Sequence, residues 1–146
     1  MSQPDKSIDM NWVLLFLCWL QVTVSATISL FFSSVLEYEP CVLCWYQRIC
    51  LFPLIFIFAA GLFPAFDKSV IKYALPLTIA GGLTALYHTL LYAGIIPENI
   101  QPCSQGVSCT EKYIELFGFI SIPMMSFFAF SILTALLITL KRRTSK

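Results

Sequence analysis

Cys41 and Cys44 stand three positions apart in the stretch CVLCWYQRIC, with Arg48 four residues after the second, and Cys103 and Cys109 form another close pair further along the chain. Cysteines grouped this way have three uses. They close structural disulfides, supply thiolates to a tetrahedral metal such as zinc, or exchange disulfides with other thiols. A structural staple stabilises most when it closes a long loop, and Cys-x-x-Cys closes almost none, so a tight ring at a helix start suits redox chemistry better. Four cysteines would suffice for a zinc site, but the second spacing is wide for a zinc knuckle. If a helix begins near Cys44, that sulfur lies at its N-terminus, where the macrodipole and free N–H groups favour a thiolate, and Arg48 shares its helical face. Cys44 is therefore expected to be an acidified thiol.

Composition sets the elements that must position these groups. The chain is 58% hydrophobic and only 12% charged, with a mean hydropathy of +0.81, well outside the range of a soluble domain. Four apolar runs, Trp12 to Phe32, Ile49 to Phe66, Tyr73 to Ile96 and Phe117 to Leu140, are each long enough to cross about 30 Å of hydrocarbon as a helix. The expected fold is all-α, an integral membrane four-helix bundle forming one domain over residues 1–146. Pro53, Pro64, Pro76, Pro123 and the Gly81-Gly82 pair are tolerated in such a bundle, where neighbouring helices satisfy freed backbone groups. Val24-Ser25-Ala26 loosely resembles a signal-peptide cleavage site. However, Asp5 and Asp9 precede the first run and the run exceeds a usual signal core, so it is kept as the first span.

Lys6, Lys68, Lys72, Lys141, Arg142, Arg143 and Lys146 fall on one side of a four-span arrangement and only Arg48 and Lys112 on the other, which places both termini in the cytoplasm. Tyr38, Trp45, Tyr46 and Tyr113 fit interfacial positions on the outer side. Cys41, Cys44, Cys103 and Cys109 then all face the oxidising side. Cys18 and Cys50 lie within spans, roughly 16 Å apart along the membrane normal, beyond the ~7 Å Cα limit for a disulfide. Those two are expected to be small buried apolar side chains. His88, the only histidine, falls about 12 Å below the outer end of the third span. An intramembrane histidine facing a bundle is either a functional polar group or an interhelical hydrogen-bonding one. No Rossmann glycine pattern, P-loop or haem-attachment motif is present, so a lipid-soluble electron acceptor suits the setting.

Taken together, four spans, PCVLCWYQR between the first two, a second cysteine pair between the last two and GFISIPMMS opening the fourth resemble the DsbB family of quinone-dependent disulfide-forming membrane proteins. The compact second loop is most similar to the Gram-positive, Bacillus-type members. The resemblance implies a membrane thiol-disulfide oxidoreductase in the bacterial cell membrane. It would reoxidise an extracytoplasmic thioredoxin-like (DsbA-like) partner and pass the electrons to a quinone, menaquinone or ubiquinone; no nucleic-acid partner is expected. It further implies that Cys103 is attacked by the partner, with Cys109 as its mate. Cys41 would exchange with that pair, and Cys44 would deliver electrons to quinone beside Arg48, with His88 nearby. The short separation of Cys103 and Cys109 departs from the proteobacterial pattern, and YIELFGF from Tyr113 to Phe119 is at most a remnant of that pattern's horizontal amphipathic helix.

Two other readings fit parts of the pattern. Vitamin K epoxide reductase-like enzymes share the four-helix, four-cysteine plan but carry Cys-x-x-Cys on the last span, whereas here it opens the second. A tetraspan scaffold with structural disulfides would leave the placement of Arg48 beside Cys44 without a purpose.

Overall fold

A computed structural model of the chain describes residues 9–100, 115–116 and 120–145. Four long helices make up almost all of it: α1 (Met10–Ser34), α2 (Val42–Leu62), α3 (Ser69–Tyr92) and α4 (Ile122–Thr144). Each is long and apolar enough to cross a membrane. A short 3₁₀ turn, Glu98–Ile100, follows α3, and Glu115–Leu116 (β1) pairs antiparallel with Ile120–Ser121 (β2) just ahead of α4. Every helix packs against its neighbour in sequence, and α4 closes the ring against α1. Short connections join α1 to α2 and α2 to α3, a longer segment joins α3 to α4, and the result is an up-and-down bundle.

The helix ends differ from the sequence expectation at two places that matter. α2 starts at Val42 rather than Ile49, because Cys41 adopts the extended backbone of an N-cap (φ −69°, ψ 170°) and WYQR continues the helix without a breaker. Cys44 and Arg48 therefore lie inside α2. α4 starts at Ile122 rather than Phe117, with Pro123 in its first turn, where proline's missing N–H costs nothing. Glu115 and Leu116, within the stretch expected to hold a helical remnant, pair as a strand instead.

The bundle is divided along its length. Toward the chain termini, Leu15, Cys18 and Val22 of α1 meet Leu54 and Phe58 of α2, Ile71 and Ala74 of α3, and Leu133 and Leu137 of α4 in a continuous apolar core. Cys18 is fully enclosed there and acts as a small hydrophobe, as expected; Cys50 is half-buried. The outer faces are apolar as well, with Leu17, Val24, Phe56, Leu83 and Ile132 exposed, the pattern of helices surrounded by lipid rather than water. On α3, Gly81 lies against the ring of Phe130 so closely that a Cβ would overlap it, which lets α3 and α4 approach as small residues do in membrane bundles. The interhelical polar side chains collect toward the opposite end, where the four helices part around a cavity.

Candidate redox site

The Cys-x-x-Cys spacing does structural work at the start of α2. Cys41 is the N-cap and Cys44 the third helical residue, the same separation that lets capping-box side chains meet, and it brings the two sulfurs to 3.3 Å. His88 of α3 approaches from the next helix, its Nε2 3.8 Å from Cys41 Sγ. All three donor atoms lie within 4.8 Å of one another. Such compactness serves thiol exchange and metal ligation alike; the four-cysteine zinc site weighed from the sequence would also need Cys103 and Cys109, which lie outside the described residues.

The thiolate is favoured on a different sulfur from the one expected. Cys41, not Cys44, occupies the helix N-terminus, and it has Cys44 on one side and His88 on the other. The hydrogen bond with Cys44, followed by His88, draws the Cys41 thiol from its ordinary 9.0 down to about 4, against the opposing effect of burial. Arg48 does not turn its hydrogen bonds toward the cysteines. Its Nε donates to Ser29 Oγ at 2.8 Å and its Nη2 to the Ser29 carbonyl at 2.6 Å, both on α1, and its guanidinium carbon lies 5.5 Å from the Trp45 ring centroid. It still lines the same cavity as the two cysteines.

This cavity, of about 270 Å³, is bounded by Cys41, Cys44, Arg48 and His88 together with apolar side chains such as Leu51 and Phe130. The volume is near the lower end of the ~300 to 1,000 Å³ usual for small-molecule sites, enough for a ring head group rather than a whole lipid. Arg48 is 92% buried, leaving 8% exposed, and has no carboxylate partner among the described residues. A buried cation with no carboxylate beside it among the described residues fits a ligand that carries or develops negative charge on oxygen. Apolar walls, one such cation and an adjacent thiol pair suit a small apolar electron acceptor.

Of the residues singled out from sequence, the structure unites Cys41, Cys44, Arg48 and His88, while Cys103 and Cys109 fall outside the described residues. Three residues went unnoticed: Ser29, which holds Arg48; Gln47, 8% exposed and hydrogen-bonded to His88; and Ser126 of α4, whose hydroxyl donates to Gln47 Oε1. Ser29 and Ser126 carried a signal, since an uncharged polar residue within an apolar span usually faces the bundle interior and finds a partner there, whereas Gln47 lies ahead of the second apolar run.

Residues 10–140 match the family model described as disulfide bond formation protein DsbB. A probable disulfide formation protein from Metapseudomonas resinovorans is 47% identical over 97% of this chain and 98% of its own length. Probable disulfide formation protein C 2 of Bacillus cereus is 41% identical over 94% and 99%, and disulfide bond formation protein C of Bacillus subtilis 37% over 92% and 96%. No solved structure matches significantly. With a family match across nearly all of its length and relatives this similar from end to end, the chain belongs to the DsbB family of disulfide bond formation proteins, oxidoreductases of the membrane.

Proposed function

We propose that this protein oxidises an extracytoplasmic thioredoxin-like dithiol and transfers the electrons to a membrane quinone. The observation carrying this reading is the convergence of Cys41, Cys44, Arg48 and His88 on one apolar cavity at one end of the bundle. Seven of the nine lysines and arginines fall on the opposite side of the four spans, so the redox end faces outward across the cell membrane.

The reaction balances in two stages. A thiolate of the partner attacks the Cys103–Cys109 disulfide, and the partner's second thiol then closes the partner's own disulfide and leaves Cys103 and Cys109 reduced; exchange between the pairs regenerates Cys103–Cys109 while reducing Cys41–Cys44. Re-forming the Cys41–Cys44 bond then releases two electrons and the one proton still held on Cys44. Quinone supplies the acceptor for both electrons, taking up that proton and one more from water. The residues prepare that step: Cys41 holds the charge that makes it a competent nucleophile, Cys44 presents its sulfur to the cavity, and Arg48 stands ready to hydrogen-bond an oxygen gaining negative charge. Organic extraction of the purified protein tests the acceptor. A quinone recovered near one per chain supports this reading; extracts free of quinone from protein purified in native membranes would refute it.

A further inference from the structure

The polar chain behind His88 sets which ring nitrogen carries the proton. The hydroxyl of Ser126 on α4 donates to Oε1 of Gln47 on α2, which leaves the amide nitrogen of Gln47 facing Nδ1 of His88 on α3 at 3.3 Å. An amide nitrogen can only donate. Nδ1 must then accept, and the imidazole proton is carried on Nε2, the nitrogen that faces Cys41 Sγ at 3.8 Å. We infer that Gln47, held by Ser126, is a positioning residue that fixes the Nε2–H tautomer of His88 so that it donates to the Cys41 sulfur.

The charge on Cys41 favours the same orientation. If the Gln47 amide were turned over, its oxygen would require a proton on Nδ1, and a neutral ring would then leave a lone pair on Nε2 pointing at Cys41. With negative charge on that sulfur, two acceptors would then face each other. Gln47 and His88 are 8% and 3% exposed, so water does not readily replace the lost partner. The outer partner of a functional histidine commonly determines its tautomer in this way. The titratable and charged groups lining the cavity are Tyr38, Glu39, Cys41, Cys44, Arg48 and His88, and Gln47 is the uncharged group that selects between their arrangements. The inference rests on reading Cys41 as a redox-active thiol.

The test exploits the presence of a single histidine. In reduced, detergent-solubilised full-length protein labelled with ¹⁵N in its imidazole, wild type should show a protonated Nε2 and an unprotonated Nδ1, each identified by its couplings to the ring hydrogens. Gln47→Leu should lose that preference and raise the pH midpoint for alkylation of Cys41 by about one unit or more. Gln47→Glu keeps the size but presents only acceptors toward His88, and should place a proton on Nδ1. Ser126→Ala should move both readouts in the direction of Gln47→Leu by a smaller amount. A wild-type ring protonated on Nδ1 alone overturns the inference, as does a folded Gln47→Leu protein with unchanged tautomer and unchanged Cys41 profile. None of these readouts uses quinone or partner. If the tautomer is as stated while purified protein fails to oxidise any dithiol, the proposed function fails and the inference stands.

Discussion

Arg48 of α2 grips Ser29 of α1 twice, through Nε to the hydroxyl at 2.8 Å and through Nη2 to the carbonyl at 2.6 Å, and so holds a guanidinium at the wall of the cavity that Cys41 and Cys44 share. A lysine could not make this pair of contacts, because its ammonium lacks the planar fork of donors. The arrangement leaves the cation fixed before any ligand arrives, and that preorganisation is what makes electrostatic stabilisation effective.

Replacing the arginine should therefore affect turnover more than folding. Arg48→Ala is expected to lower the quinone-dependent rate ~10² to 10³-fold, the usual loss on removing one preorganised donor, while Cys41–Cys44 still closes with a chemical oxidant. Arg48→Lys should recover only part. Ser29→Ala, which keeps the charge but removes one anchor, should fall between wild type and Arg48→Lys. Steady-state oxidation of a dithiol against quinone concentration measures all three; wild-type kinetics for Arg48→Ala would reduce the arginine to a tie between helices.

The depressed Cys41 thiol predicts an unusual proton count. With that group at about 4, the reduced pair already carries one negative charge above this pH, so reduction of the disulfide takes up two electrons but a single proton. The midpoint potential should then fall by about 30 mV per pH unit between pH 5 and 7, instead of the ~59 mV of an ordinary dithiol. As pH drops through about 4 the thiolate is protonated, its stabilisation of the reduced form is lost, and the slope steepens. Redox equilibration against glutathione at several pH values, in a protein with Cys103 and Cys109 replaced by alanine, reads the slope directly.

Partner exchange has its own signature, because thiol-disulfide exchange passes through a mixed disulfide. Cys109→Ala leaves Cys103 without its resolving mate and should accumulate a covalent complex with an extracytoplasmic thioredoxin-like protein, visible on a non-reducing gel. Cys103→Ala should accumulate none. Failure of every single-cysteine variant to trap a partner would favour structural disulfides in the outer loops.

Much of this was legible in the sequence, for identifiable reasons. A span must satisfy all its backbone groups in lipid, so long apolar runs can only be helices, and all four were found. Cys41, Cys44 and Arg48, just ahead of the second run, and His88, within the third, stood out as chemically distinctive residues. The helix boundaries were less legible because hydropathy does not register caps: Val42 to Arg48 is too polar to look like a span, yet Cys41 caps it as helix. The acidified thiol is Cys41 rather than Cys44 because the Cys44 hydrogen bond and then His88 of α3 act on it, and the approach of His88 arises only in the fold. Gln47 and Ser126 carry no motif, and their relation to His88 is created only when α2, α3 and α4 meet.

On the proposed route, electrons from a protein dithiol leave through Cys44 to quinone. Its most direct test is anaerobic turnover of the purified protein in lipid nanodiscs, with a reduced thioredoxin-like partner and a water-soluble quinone analogue, following thiol loss and quinol formation together. One quinol should form for each disulfide made, and Cys44→Ala should abolish quinol formation while leaving the protein folded. Disulfides formed without quinol, or quinol formed undiminished by Cys44→Ala, would contradict it.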